Sequence, residues 1–359
     1  MKRIRKRTLA GAGAVIGLAL VCSVSAEAQD RVNWKMQSAW ASSLAHLGTS
    51  GVRFTENIER MSDGNFKIKF YEPGALVPAL ECFDAASKGS VESCWTTPGY
   101  HTGKYPALAF FTAVPFGPGF GEFMAWKIFG GGNELRAEIY DQHGLMAIDC
   151  FAIGPETSGW FRQPVESLDQ LKGLKMRFFG LGAQVMQKLG VSTQLLAAAD
   201  IYPALERGVI DATEFSMPNM DIDLGFHQVA KYNYYPGWHQ QVSVNELLMN
   251  KGAWDGLNDQ NKAILEAACG WNIYVNYAET EAKNPAAMNK MMDEYGVTNV
   301  RWGDEELAAF EEAWNEVLAE QSAQDEDFER IAESYKEFRK EYKTWGDAQS
   351  LKPTYLDNQ

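Results

Sequence analysis

The 359-residue chain is acidic, with 33 Lys+Arg against 47 Asp+Glu and a formal net charge of −14 at pH 7. Residues 1–28 combine a basic start, an uncharged stretch and an Ala-x-Ala sequence, which is the pattern of a secretory signal peptide. Cleavage there would leave 28 basic residues against 46 acidic ones, a net charge of −18. This charge argues against nucleic acid and anionic membranes as partners. No later stretch is apolar for long enough to span a bilayer, so we expect an exported, soluble protein.

Strands and helices alternate through the first part of the chain. Period-two alternation of apolar side chains predicts strands at residues 32–38, 66–70, 91–95 and 145–151. Apolar residues at helical spacing predict helices at residues 46–62, 80–87 and 122–140. Residues 106–121 lack periodicity and are predicted to form a packed aromatic loop. This alternation implies a largely parallel sheet, and the length suits two lobes.

The next part repeats the pattern around a strand that ends at Arg177. The predicted helices cover residues 183–189 and 201–207, and the predicted strands cover residues 209–215 and 242–250. We expect Asp200 to cap the second of these helices and Gly208 to end it.

Two long helical regions follow. The first runs from residue 258 to about residue 295, with a kink expected at Pro285, and is long enough to run along both lobes. The second covers residues 304–345 and is highly charged, with Phe310, Trp314 and Leu318 on one stripe. Such a stripe packs either on its own chain or on a partner.

Four cysteines remain after the signal peptide, and none forms a CxxC motif or a zinc-site spacing with histidine. An exported protein could oxidise them, but the sequence leaves the connectivity open. We expect at least two of them to be buried thiols. These cysteines are Cys82, Cys94, Cys150 and Cys269.

Arg177 is the first candidate for a binding residue, because it precedes a glycine turn into a helix N-terminus. Ligands of open α/β sheets bind outside the carboxyl ends of strands. A guanidinium beside a helix N-terminus suits a carboxylate. The alternative is an arginine in a surface ion pair.

Several other segments converge on the end of that strand if the sheet is built this way. They bring in Glu156 and Glu214, although glutamates are by default exposed on the surface. Loops that follow earlier strands carry Trp40, Trp95 and Tyr100, which either belong to the core or line a ligand pocket.

Three ordered motifs resemble the substrate-binding proteins of tripartite ATP-independent periplasmic (TRAP) transporters, the DctP family. They are residues 173–190 (GLKMRFFGLGAQVMQKLG), residues 200–215 (DIYPALERGVIDATEF) and residues 232–239 (YNYYPGWH). The last is similar to a run in the subgroup that binds 2-oxo acids. The resemblance covers nearly the whole mature chain. It implies a periplasmic receptor that closes on a small organic acid and delivers it to the small and large membrane subunits of a permease.

The resemblance also implies a fold and a division of the chain. The expected fold class is α/β, the two-lobe periplasmic binding protein fold, with mixed sheets flanked by helices and a long helix spanning both lobes. The expected division is residues 1–28 for the signal peptide, 29–151 for lobe I, 152–238 for lobe II, 239–257 for the return to lobe I, 258–300 for the spanning helix with a contribution to lobe II, and 301–359 for a C-terminal helical region.

Matched residue by residue, the resemblance makes Arg177 the carboxylate-binding arginine. Glu156 stands where the 2-oxo-acid binders carry a glutamine that touches ligand and cation. Glu214 and Phe215 match a Glu-Trp pair. Gln240 stands where a cation-binding glutamate is expected, so Glu and Gln are exchanged between two positions. No cofactor is required, but Na⁺ or Ca²⁺ could lie beside the ligand, held by Glu156, Gln240 and a backbone carbonyl near Phe215.

Other functions stay open at this point. The ligand could instead be an aromatic or hydroxy carboxylate, or an acid that bears an amino group. The chain could be a binding module that serves no permease. An exported enzyme is not expected, because HExxH, GxSxG and GxxxxGK[ST] motifs are absent. The charged C-terminal helix allows either a monomer or a homodimer.

Overall fold

The structure is a computed structural model that describes residues 31–351. The predicted signal peptide lies outside the described residues. Within them the chain forms eleven strands: β1 Val32–Ser38, β2 Phe66–Tyr71, β3 Ser93–Thr96, β4 Leu145–Ile153, β5 Gly159–Phe161, β6 Lys175–Arg177, β7 Ser192–Gln194, β8 Ala212–Thr213, β9 Tyr232–Tyr235, β10 Ser243–Asn250 and β11 Thr298–Arg301.

Eleven α-helices alternate with these strands in the described part of the chain. They are α1 Gly48–Met61, α2 Cys82–Ser87, α3 Phe120–Phe129, α4 Gly132–Asp141, α5 Gly180–Lys188, α6 Ala198–Glu206, α7 Pro218–Asp223, α8 Lys251–Asp255, α9 Asp259–Asp293, α10 Asp304–Gln324 and α11 Glu326–Gln349.

The strands build two mixed sheets. The first has the order β2-β1-β3-β10-β4, in which β10 runs antiparallel to both of its neighbours. The second has the order β11-β9-β5-β8-β6-β7, with β6 parallel to β7 and β8. The expected class, mixed α/β with two sheets flanked by helices, is confirmed.

The longest helix, α9, connects distant parts of this architecture. It has 35 residues and packs against β4 and α1 beside the first sheet, and against α7 beyond it. Pro285 lies inside α9 and does not end it. No helix of the described residues is long and apolar enough to cross a membrane.

Several predicted boundaries were wrong for local reasons. The helix expected at residues 122–140 is interrupted at residues 130–131, and residues 106–111 of the expected loop form a short 3-10 helix. The helix cap is Ala197, so Asp200 lies within the first turn of α6. Gly208 follows that helix with φ +71°, as predicted for a glycine stop.

The C-terminal region is two helices and not one. Asp325 separates α10 from α11, and its side chain accepts a hydrogen bond from the backbone N–H of Phe328. The apolar stripe of α10 packs on its own chain, where Phe310 contacts the ring of Trp238 at 5.0 Å between centroids.

The expectation of buried thiols was wrong. All four cysteines form disulfides. One disulfide, Cys82–Cys94, joins α2 to β3, and the other, Cys150–Cys269, joins β4 to α9. The second pairing links positions 119 residues apart, and no local spacing pattern in the sequence could have indicated it.

Candidate functional site

A small cavity of about 30 Å³ is lined by residues from both sheets and from the segments that follow their strands. Larger grooves on the surface, of up to about 680 Å³, contain no buried charged side chain among the described residues. The cavity is lined by Trp40, Leu47, Thr97, Tyr100, Ile153, Glu156, Arg177, Phe179, Phe215, Gln240, Ser243 and Asn245. It therefore brings together six of the eight residues that the sequence singled out.

Arg177 is the last residue of β6 and is only 1% exposed. Its Nη1 donates to the backbone oxygen of Glu214 at 2.7 Å and to both carboxylate oxygens of that residue at 2.9 Å. Nε donates to the backbone oxygen of Leu196 at 3.3 Å, and the ring of Phe215 lies 5.3 Å from the guanidinium carbon. The alternative from the sequence, an arginine in a surface ion pair, is therefore right about the ion pair. It is wrong about the location, because the pair is buried.

Glu214 and Trp95 lie outside the cavity wall. Glu214 is fully buried beside the guanidinium and also accepts from the backbone N–H of Phe179 at 3.1 Å. Trp95 is a core residue, stacked between Phe54 and Phe151 with its Nε1 donating to a backbone oxygen at 2.8 Å.

Trp40 and Tyr100 form an aromatic part of the cavity wall, and their polar atoms are hydrogen-bonded to each other. Trp40 Nε1 donates to the Tyr100 hydroxyl at 3.1 Å, and the Tyr100 ring meets Phe179 edge to face at 5.6 Å. Burial raises the pKa of Tyr100 to about 12, so its hydroxyl is neutral and can donate a hydrogen bond. Phe179 was not singled out in the sequence, although it lies two residues after Arg177.

Glu156 and Gln240 line a polar part of the cavity, which together with the adjacent His239 is called the Glu156 corner. Glu156 Oε2 lies 3.5 Å from His239 Nε2, and Glu156, Glu214 and His239 offer ligand atoms within 4.8 Å of one another. Burial raises the pKa of Glu156 well above its usual range, and the charges of Glu214 and Asp221 act in the same direction. Burial, aided by the Arg177 charge, lowers the pKa of His239 to about 3, so its ring is neutral.

Asp221 adds a third buried carboxyl group that the sequence analysis did not identify. Trp160 Nε1 donates to its Oδ2 at 2.7 Å, and the residue is fully buried. Burial raises the pKa of Asp221 to about 8 in spite of that hydrogen bond. The only sequence signal was an acid in the short segment after Glu214, and nothing there distinguished it from a surface residue.

The opposite wall carries a row of hydroxyl and amide groups. Thr97 and Thr112 share a hydrogen bond of 2.8 Å, and Thr112 lies 3.2 Å from the Ser243 hydroxyl, which contacts Asn245 Oδ1 at 3.3 Å. Asn245 Nδ2 has no hydrogen-bond partner among the described residues. A buried amide of this kind can donate to a ligand oxygen.

The chain as a whole is similar to known proteins. The family model described as bacterial extracellular solute-binding protein, family 7 (DctP), matches residues 37–325. A protein of Nostoc sp. (strain PCC 7120) named monocarboxylate 2-oxoacid-binding periplasmic protein is 35% identical over 89% of this chain and 87% of its own length.

Two crystal structures of TRAP transporter solute-binding proteins are also similar. One from Bordetella bronchiseptica RB50, with calcium and picolinate, has a TM-score of 0.86 and 33% identity, covering 89% of this chain and 95% of that chain. One from Pseudoalteromonas atlantica T6c, with sodium and pyruvate, has a TM-score of 0.85 and 31% identity, covering 89% and 97%. The two-lobe fold expected from the sequence is therefore confirmed. The chain belongs to family 7 of the bacterial extracellular solute-binding proteins, and it is a solute-binding receptor of the TRAP type.

Proposed function

We propose that this receptor captures a small monocarboxylate of the 2-oxo acid class in the periplasm and delivers it to the membrane subunits of a TRAP permease. The observation that carries the proposal is the buried guanidinium of Arg177 in the cavity wall. Its hydrogen bonds use Nη1 and Nε, which leaves Nη2 for a ligand carboxylate. Glu214 then acts by positioning the guanidinium and does not itself contact the ligand.

The small size and mixed polar and aromatic walls of the cavity favour a small acid over a large one. A cavity of about 30 Å³ holds about two water molecules, so even a small acid requires some outward movement of the walls. Tyr100 and Asn245 offer hydrogen-bond donors for a keto oxygen, while Phe179 and Phe215 enclose the carbon chain. The names of the Nostoc and Pseudoalteromonas relatives point to the same chemical class.

A cation beside the ligand is the second part of the proposal. A ligand carboxylate would enter a closed site that already holds Glu156, and two carboxylates in one cleft repel unless a proton or a metal ion offsets them. Glu156, Gln240 and a backbone carbonyl near Phe215 would hold Na⁺ or Ca²⁺, which prefer oxygen ligands. The similar structures contain calcium or sodium.

A ligand that bears its own donor is the alternative. Glu156 Oε2 and Asp221 Oδ1 have no hydrogen-bond partner among the described residues, and a hydroxyl or ammonium group could satisfy such an acceptor. This ligand would need no cation, whereas a simple 2-oxo acid would bind poorly. Removing metal ions therefore distinguishes the two alternatives.

The remaining expectations belong to the same proposal. The chain is exported with cleavage of residues 1–28, is not an enzyme, and divides into lobes at residues 151 and 238, with residues 239–257 returning to the first lobe and residues 258–300 spanning both. The apolar stripe of α10 is buried on its own chain, which favours a monomer over a homodimer formed through residues 301–359. Sedimentation velocity at high concentration distinguishes these assembly states.

Calorimetry on the mature chain tests the ligand. Pyruvate, longer 2-oxo acids, lactate and alanine should be titrated with and without chelator, at constant ionic strength. We expect pyruvate to bind, and Arg177→Gln to weaken binding by at least about thirtyfold, because a charge-assisted pair is worth about 2–5 kcal/mol. Arg177→Lys should be nearly as weak, since an ammonium lacks the planar fork. Near-normal pyruvate affinity in Arg177→Gln would refute the proposal.

A further inference from the structure

Four side-chain atoms at the Glu156 corner are buried and have no hydrogen-bond partner among the described residues. They are Glu156 Oε2, Gln240 Oε1 and both ring nitrogens of His239. His239 is 3% exposed, so bulk water does not reach its nitrogens. A buried polar atom without a partner is costly and rare, and four of them in neighbouring residues point to a missing ligand.

The chemistry of these atoms fits a metal ion. Glu156 Oε2 and His239 Nε2 are 3.5 Å apart. Two ligands that each lie about 2.1 Å from a tetrahedral metal are about 3.4 Å apart. The neutral imidazole has a lone pair on one nitrogen, and the rings of Phe178 and Trp238 hold it edge to face at 5.0 and 5.6 Å between centroids. The imidazole is therefore placed as a rigid donor beside the carboxylate.

We propose that His239 is a nitrogen ligand of the cation held by Glu156 and Gln240, and that the site selects a divalent transition metal such as Zn²⁺ over Na⁺ and Ca²⁺. The inference rests on the cation site of the proposed function, and it assigns a transition metal to that site instead of Na⁺ or Ca²⁺. Na⁺ and Ca²⁺ take oxygen ligands, whereas imidazole suits Zn²⁺, Co²⁺, Ni²⁺ and Cu²⁺. A set of one carboxylate, one imidazole and one amide leaves further positions on the metal for the oxygen atoms of a bound acid.

The charge in the corner also favours a divalent ion. Glu156 lies near Glu214 and Asp221, and Arg177 is already paired with Glu214. Glu156, Glu214 and a ligand carboxylate together carry three negative charges against the one positive charge of Arg177, so a monovalent ion would leave one negative charge uncompensated. A divalent ion neutralises both Glu156 and the ligand.

Metal binding can be measured without any acid. The mature protein, made without a histidine tag and stripped with chelator, should be titrated with Zn²⁺, Co²⁺ and Ca²⁺ by calorimetry. The absorption spectrum of the Co²⁺ form then reports whether nitrogen is coordinated. We expect one metal per chain, and Zn²⁺ and Co²⁺ at least tenfold tighter than Ca²⁺.

The variant His239→Asn removes the imidazole and should erase the preference for Zn²⁺ over Ca²⁺ together with the nitrogen-ligand bands of Co²⁺. His101→Asn is the matched control, because His101 is also buried with an unpaired Nε2 and belongs to no cluster of potential metal ligands among the described residues. If His239→Asn does not fold, the Zn²⁺-to-Ca²⁺ preference and the Co²⁺ spectrum of the unaltered protein still decide the question.

The outcomes separate this inference from the proposed function. Ca²⁺ or Na⁺ binding more tightly than Zn²⁺, with an oxygen-only Co²⁺ spectrum, would overturn the inference and leave the cation site intact. Absence of any metal binding would overturn both the inference and the cation site. Pyruvate binding to the protein supplied in turn with Zn²⁺, Ca²⁺ and Na⁺, measured separately, tests the acid-binding function by itself, because failure to bind pyruvate with any of them would overturn that function.

Discussion

The buried pair of Arg177 and Glu214 offers the sharpest test of how the site is built. Both side chains are almost completely buried, at 1% and 0% exposure, with N–O distances of 2.9 Å. Arg177→Met removes the cation and leaves Glu214 buried without a counter-charge. Breaking a buried ion pair in this way costs about 3–5 kcal/mol of the free energy of unfolding. Urea denaturation of the ligand-free protein measures that loss.

The double variant Arg177→Met/Glu214→Leu separates stability from binding. Replacing both partners by apolar side chains removes the unpaired charge, so we expect it to recover at least about 2 kcal/mol relative to Arg177→Met. Pyruvate affinity should nevertheless stay lost in both variants, because the guanidinium is the ligand's partner. The reasoning is refuted if the double variant is no more stable than Arg177→Met, or if it binds pyruvate normally.

Three further predictions concern closure, protonation and the covalent links. A Cβ at Gly99 would lie 2.0 Å from the Phe179 ring, so Gly99→Ala should hold the cleft open and weaken ligand affinity at least tenfold in calorimetry, whereas Gly103→Ala, with open space around it, should not. Burial raises the pKa of Asp221 to about 8, so the folded chain holds one more proton than the unfolded chain between about pH 4 and 8, and metal-free stability should fall by up to about 1.4 kcal/mol per pH unit as pH rises through that window. Asp221→Asn should reduce this slope by that amount in urea titrations, whereas Glu156, whose pKa is also raised, still contributes to it; an unchanged slope would contradict the assignment. Replacing both cysteines of the disulfide between β4 and α9, which closes a loop of 119 residues, should cost about 4–5 kcal/mol, and an unchanged melting temperature would contradict this.

The position of Arg177 could be predicted because the signal is local. Alternation of apolar residues from Leu174 to Phe178 fixes a strand, and the glycine at 180 marks its exit into a helix. Strand ends in such sheets face ligands, so one segment was enough to locate the site. Motif resemblance then located Glu156 and Gln240, which lie on loops without periodicity.

The sequence could not predict which side chains line the cavity and which are buried behind its wall. Burial depends on packing partners that lie far away along the chain. Glu214 and Phe215 are adjacent in sequence, yet Glu214 lies behind Arg177 and Phe215 lines the cavity. Trp95 lies near the carboxyl end of β3 and Trp40 just after β1, but Phe54 and Phe151 enclose Trp95 from distant elements. The disulfides were missed for the same reason, since a pair 119 residues apart is decided by the packing of α9 on β4.

The exchange of Glu and Gln between positions 156 and 240 now has a physical consequence. The family resemblance implies a cation site with one carboxylate at these two positions. The exchange keeps that number, so the formal charge that a bound cation would neutralise is unchanged. It moves that carboxylate to 3.5 Å from His239 Nε2, where the imidazole and the carboxylate can bind the same metal. In the proposed site, the ligand's charge is shared between this metal and the Nη2 donor of Arg177, because Nη1 is already paired with Glu214. Ligand affinity in this receptor should therefore depend on which metal is present, and not merely on whether Arg177 is intact.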